Sequence, residues 1–184
     1  MGNIGKPREI AANRRRAVDA RNNNGLQLSV VFTTSDDAAR IATSLKRVAM
    51  FLERSRLSAE VLIVDDASHD GIEQVIAPWT EHFARLRLVR SDVRKGIGAA
   101  ARSALLLAEG RHVLLAEVGL SAPIEDATAL LECLDAGADL AIASRKLNGA
   151  TVRSPRPAGR RTAEALFSAA ARMMVPLGAR DLFC

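Results

Sequence analysis

Aromatic side chains are scarce in this chain of 184 residues: one Trp, five Phe and no Tyr. A surface that stacks single-stranded nucleic acid needs a row of aromatic faces, so no such partner is expected. No uninterrupted apolar run is long enough to span a bilayer, which takes about 20 residues. The N-terminal stretch is basic but lacks the apolar segment of a secretory signal. Cysteine is nearly absent, and Cys133 and Cys184 have no metal-ligand spacing. With Cys133 on the apolar face of an expected helix, both read as reduced thiols of a cytoplasmic protein.

What is present is a foldable majority: 48% of the residues are hydrophobic, enough at this length for one domain with a real core. The formal charge of +5 is unevenly placed. Residues 1–25 hold Lys6, Arg8, Arg14, Arg15, Arg16 and Arg21 against Glu9 and Asp19, six minus two or +4, which leaves +1 for the rest. Residues 1–26 therefore read as a basic, disordered tail, loosened further by Asn22-Asn23-Asn24-Gly25. A nucleic-acid role would rest on that tail alone.

The stretch Val61-Leu62-Ile63-Val64-Asp65-Asp66-Ala67-Ser68-His69-Asp70-Gly71 organises the remainder. Its apolar half predicts a strand buried on both faces, as in a parallel sheet. Its acids fall where open α/β sheets bind ligands, unless Asp66 or Ser68 only caps the next helix. Around it, strands alternate with helices. Strands are predicted at Leu28–Thr33, Leu86–Val89, His112–Ala116 and Ala138–Ala143. Ile41, Leu45, Val48 and Leu52 recur at helical spacing, after a polar cluster, Thr34 to Asp37, able to cap. Ile72, Val75, Ile76, Trp79 and Phe83 form a second stripe that Pro78 should split, and Ala99–Ala108 a third helix closed by Gly110. Ser121 and Pro123 read as the cap and first turn of a helix carrying Ile124, Ala127, Leu131 and Leu134. This is the order of a parallel sheet with right-handed crossovers.

Polar residues gather after every strand: Ser35, Asp36 and Asp37; Asp65 and Asp66; Asp92 and Arg94; Glu117; Ser144 and Arg145. In such a sheet these ends share one rim, and five clusters on one rim point to a polar ligand. Gly96-Ile97-Gly98-Ala99-Ala100-Ala101 fits a loose dinucleotide fingerprint, a weak signal because it does not follow the first strand. Asp66, Ser68, Asp70 and Gly71 begin like an EF-hand loop, but its twelfth position is Ala77 where a bidentate Glu is required. From Arg145 onward Lys146, Arg153, Arg156, Arg160 and Arg161 occur without an acid. Arginine forks with carboxylates suit a phosphorylated ligand. A last helix is predicted from Leu166, Ala169, Ala170 and Met173.

Read together, these segments resemble family 2 glycosyltransferases of the GT-A fold, nearest to the polyprenyl- or dolichyl-phosphate mannosyl- and glucosyltransferases. The family's Val-Asp-Asp-Gly-Ser-x-Asp-Gly stands as Val64 to Gly71, and its opening turn as Thr33-Thr34-Ser35-Asp36-Asp37. Its Asn-x-Gly-Lys-Gly loop is similar to Arg94 to Gly98, and its Asp-Ala-Asp-Leu-Ser-x-Pro to Glu117 to Pro123. Its Gly-Ser-Arg matches Ala143-Ser144-Arg145, and its Arg-Asp-x-x-Cys matches Arg180 to Cys184. The resemblance covers residues 27–184 and marks them as one glycosyltransferase domain cut short at its C-terminal end.

The resemblance implies a Rossmann-like α/β fold, a mainly parallel sheet flanked by helices. It implies a nucleotide-sugar donor, held by Asp37, Asp65, Asp66 and Lys95, with Asp66 near the base or ribose. It implies Mg²⁺ or Mn²⁺ at Glu117, and an acceptor phosphate met by Arg145 and by Arg160 or Arg161. The acceptor would be a lipid phosphate at a membrane surface, its oxygen attacking the anomeric carbon with inversion while Glu117 and Arg145 serve catalysis. The chain departs from the pattern at Gly119, which cannot ligand a metal, so Glu117 alone remains of that pair. Ile97 replaces the loop lysine, with Lys95 near the same space. The alternative is a catalytically inactive nucleotide-binding or interaction module on the same fold.

Overall fold

The computed structural model describes residues 25–144. The chain divides into two compact units, Met1–Glu125 and Asp126–Cys184. The first holds β1 (Leu28–Thr34), α1 (Ala38–Ser55), β2 (Ala59–Asp66), α2 (Ile72–Ile76), a 3₁₀ turn at Ala77–Trp79, β3 (Leu86–Ser91), α3 (Ile97–Leu107) and β4 (His112–Glu117). A second 3₁₀ turn, Ile124–Asp126, precedes α4 (Ala127–Asp135).

The strands form a parallel sheet ordered β3-β2-β1-β4. Leu28 lies opposite Ala59 on one side and His112 on the other, and Val61 lies opposite Leu86. The expectation that β2 is covered on both faces holds, since Glu60 through Asp66 are all buried. Successive strand residues face opposite sides, so each face needs its own apolar set. One set, Val31, Leu62 and Val64, packs with Ala100, Ala104 and Ala108 at α3, flanked by Val89 and Val113. Small alanines let that helix lie close to the sheet. On the other face Val30, Phe32, Val61 and Ile63 are buried, and α1 contributes buried Ile41, Leu45, Val48 and Phe51. Each such side chain stabilises the fold by roughly 1.5–3 kcal/mol.

Pro78 splits the second helical stripe as predicted: α2 ends at Ile76 and the chain continues as a 3₁₀ turn. Trp79 then meets His82 and Phe83, with ring centroids 5.2 Å and 6.5 Å apart.

Three expectations are corrected. Residues 138–144 form no strand; the run is short, and Leu140 and Ile142 are exposed. Ser121 caps no helix, because its hydroxyl donates to the Glu117 carboxylate and α4 starts only at Ala127. Cys133 is a free thiol but lies exposed on α4, not on a buried face. The expected last helix, Arg145, Arg160, Arg161 and Cys184 lie outside the described residues.

The strands' starting ends are closed by a buried polar lock. Glu60 is fully buried, and its Oε1 accepts the Ser29 hydroxyl and the Glu109 backbone N–H, both at 2.6 Å. The Gly110 N–H donates to Ser29 Oγ at 2.8 Å, and Arg87 Nη1 faces Glu60 Oε2 at 3.6 Å. Gly110 is required here, because a Cβ would lie 2.5 Å from the Ser29 nitrogen. Near the same end, a cavity of about 790 Å³ is lined by Met50, Trp79 and Phe83 among others.

Candidate functional site

Order β3-β2-β1-β4 means that the chain builds outward from β1 in one direction, then returns to its other side. The crevice beyond the carboxyl ends of β1 and β4 is the topological switch point, where open α/β sheets take their ligands. Every acid of the expected rim in the described residues lies at or just after such an end.

Asp66 closes β2 with only 4% exposure. Its Oδ1 accepts the Lys95 N–H at 2.8 Å and its Oδ2 the Gly96 N–H at 2.7 Å. Helix capping by Asp66 is thereby overturned: α2 begins after Gly71, with no side-chain cap. The same bonds settle the glycine fingerprint, since the Gly96 N–H is taken by Asp66 and β3 ends at Ser91, well before α3. Lys95 is anchored through its backbone, and its side chain is on the exposed surface.

Asp65 is fully buried and organises the following turn. It accepts the Ser68 N–H at 3.2 Å and the Ser68 hydroxyl, and faces Arg90 Nε at 3.6 Å. Arg90 is the turn's second anchor, donating to the Ser68 carbonyl at 2.5 Å and to Glu73 at 2.9 Å. The turn forces Ala67 to φ +57°, where the family has glycine.

Asp36 ties three loops together, though the sequence gives it no more prominence than Asp37. Its N–H donates to Ser68 Oγ at 2.8 Å, its Oδ1 accepts the His69 N–H at 2.8 Å, and its Oδ2 pairs with Arg94. The His69 N–H first, and the Arg94 guanidinium second, hold the Asp36 carboxyl below the usual aspartate value. Its left-handed φ of +57° is a conformation that Asp tolerates. Asp36, Arg90 and Ser68 are site-building residues that periodicity cannot reveal, because their partners lie in other loops.

Asp37 stands at the start of α1 and pairs with Arg40, Oδ1 to Nη1 at 3.1 Å. Glu117 ends β4, exposed, and accepts the Ser121 hydroxyl. Gly119 adopts φ +126°, which L side chains rarely adopt. A Cβ there would also run into the Arg40 guanidinium, 3.0 Å from Cζ and 3.2 Å from Nε. Of the expected metal-binding pair only Glu117 carries a ligand, since Gly119 has no side chain, and no group of three His, Cys, Asp or Glu converges among the described residues.

The parallel α/β sheet thus carries a carboxylate-built loop cluster at its switch point, the place where open α/β sheets take their ligands. The sequence pattern of Glycosyl transferase family 2 matches residues 29–181, most of the chain, and the protein belongs to that family. The sheet and helices are the GT-A-type Rossmann-like fold that the motifs imply. The chain is similar to the mannosyltransferase PcManGT from Pyrobaculum calidifontis in complex with GDP-Man and Mn²⁺, at 28% identity and TM-score 0.48, over 56% of this chain and 30% of that one. It is also similar to S. aureus TarS 1–349 in complex with UDP, at 25% identity and TM-score 0.48, over 58% and 32%. A third is the mannosyl-3-phosphoglycerate synthase from Rubrobacter xylanophilus, at 23% identity and TM-score 0.43, over 56% and 34%. The chain spans about a third of the length of these solved proteins. Among the described residues no helix is long and apolar enough to cross a membrane.

Proposed function

We propose that this protein takes part in glycosyl transfer from a nucleotide-diphosphate sugar, bound at the rim above β1, β2 and β4. The observation that carries the proposal is the family match over residues 29–181, which runs through every loop of that rim. The rim supports it in kind: Asp66 holds the 95–96 loop rigidly, and Asp36 fixes that loop to the first turn. Preorganised loops bind a small polar ligand without spending its binding energy on ordering them. Asp37, Asp66 and Lys95 are the described residues proposed to line the donor, with Asp65 setting the turn beneath them.

The acceptor proposed is a lipid phosphate such as a polyprenyl phosphate, presented at the cytoplasmic surface of a membrane. Its oxygen forms the new bond to the anomeric carbon, with inversion, as the bond from that carbon to the donor's diphosphate oxygen breaks. The electron pair leaves on the nucleoside diphosphate. An acceptor phosphate is already anionic and needs little help from a general base, so the protein's task is to stabilise the leaving group. Arg145 and Arg160 or Arg161 are assigned to the acceptor phosphate on the motif match. Residues 27–184 are proposed to act as one transferase domain.

Calorimetric titration of the full chain with UDP- and GDP-sugars, with and without Mn²⁺, tests the proposal. Binding of one nucleotide sugar, weakened at least about tenfold by Asp66→Ala, is expected; a lost charged hydrogen bond costs roughly 1.5–3 kcal/mol. Failure to bind any nucleotide sugar sinks it. Binding without turnover on a prenyl phosphate would instead favour the inactive module.

A further inference from the structure

The position that the motif reserves for a second acid is occupied from outside by a cation. Arg40 lies in the first turn of α1, immediately after β1, and its guanidinium rests against Gly119 in the loop after β4. Those are the two loops that border the switch point. Asp37 holds the guanidinium from the side through Nη1. The rest of the α1 face secures the same loop: Ser44 Oγ accepts the Gly119 N–H at 3.2 Å, and Arg47 Nη1 donates to the Leu120 carbonyl at 3.4 Å. The spacing 40, 44, 47 places all three on one side of the helix.

The Arg40 side chain is 56% exposed, and among the described residues its guanidinium pairs with Asp37. A guanidinium has five N–H donors, so most of its capacity is left for a ligand. Elsewhere on the rim the exposed cations Arg94 and Lys95 belong to the loop after β3, whereas the loops after β1 and β4 present the carboxylates of Asp37 and Glu117, which repel a phosphate. An anionic ligand at this crevice requires positive charge, and the planar fork of arginine matches two phosphate oxygens. A side chain at 119 is opposed by the backbone, which holds φ +126°.

Building on the donor reading above, we infer that Arg40 binds the diphosphate of the nucleotide, in the place where the motif would put a divalent ion. Nucleotide binding then needs Arg40 and does not need metal.

The test titrates the full-length chain with UDP and with GDP, once in excess EDTA and once in Mn²⁺. One nucleotide is expected to bind equally well in both conditions. Arg40→Gln should weaken that binding at least about tenfold, the loss of one charged pair. Arg40→Lys, which keeps the charge and loses the fork, should fall between. Thermal melts should show both variants folded like the parent, because the side chain is half exposed. Binding that vanishes in EDTA, or that survives Arg40→Gln unchanged, overturns this inference and leaves the donor reading standing. No binding of either nucleotide in any condition overturns both.

Discussion

Asp70 caps a helix that starts 32 residues before it: its Oδ2 accepts the Ala38 N–H at 2.7 Å. The residue before α1, Asp37, makes no such bond, its carboxylate being turned to Arg40. A carboxylate at a helix N-terminus satisfies a free donor and opposes the helix dipole favourably. Asp70→Ala is therefore expected to cost about 1 kcal/mol. Amide hydrogen exchange should speed up at Ala38, while β2 amides change only with the global stability.

The Asp36 junction should be lost in acid. Its carboxyl sits below the ordinary value in the folded protein, so the bonds to His69 and Arg94 favour the charged form. That contribution is complete above the unfolded aspartate pKa of about 3.9 and is lost as pH falls through the lower folded value. An NMR titration of the His69 amide should show a step below about pH 4. The step should be missing in Asp36→Asn, and a step at the ordinary aspartate value in the parent would contradict the assignment.

Ala67 carries backbone strain that glycine would relieve. At φ +57° an L side chain costs roughly 1–2 kcal/mol, partly offset because glycine frees the unfolded chain. Ala67→Gly is expected to stabilise the protein by about 0.5–1 kcal/mol. The melting temperature should rise by about 1–4 °C. An unchanged or lower value would show that the turn is not strained.

Glu60 is expected to matter for stability alone. Glu60→Ala strands the Ser29 hydroxyl and the Glu109 N–H and leaves Arg87 without a buried partner. A loss of about 3 kcal/mol is expected in urea denaturation. Below its unfolding transition the variant should bind nucleotide like the parent, because the change lies at the opposite end of the strands.

The four strands were legible because each is a short apolar run bounded by polar turns, and β2 carries hydrophobicity on both faces. The same logic over-reached at residues 138–143, where a short apolar run predicts a strand only if something pairs with it. Four of the five rim clusters were legible too, since acids after strands share one edge of a parallel sheet, whereas Ser144 follows no strand and so joins no such edge. Which acid does what was not. Asp36 and Asp37 are neighbours of identical chemistry, yet Asp36 joins three loops and Asp37 holds an arginine; only the left-handed turn at Asp36 separates them. Arg40 was silent in the sequence because its importance comes from Gly119, 79 positions away in the chain. Missing side chains such as that of Gly119 announce a lost ligand but not what fills the space.

The bonds that tie the loop at residues 94–96 to β2 and to the first turn end on side chains: Asp66 takes two of its amides, and Asp36 takes the Arg94 guanidinium. None belongs to the sheet ladder. Lifting that loop therefore breaks no strand pairing, and its opening free energy is set separately from global unfolding. Exchange rates at Lys95 and Gly96 should respond to substitutions at Asp66 while those in β1 and β2 keep their slow, shared rate. Such a division lets ligand residence time be tuned in the loop without altering the thermal stability of the sheet beneath it.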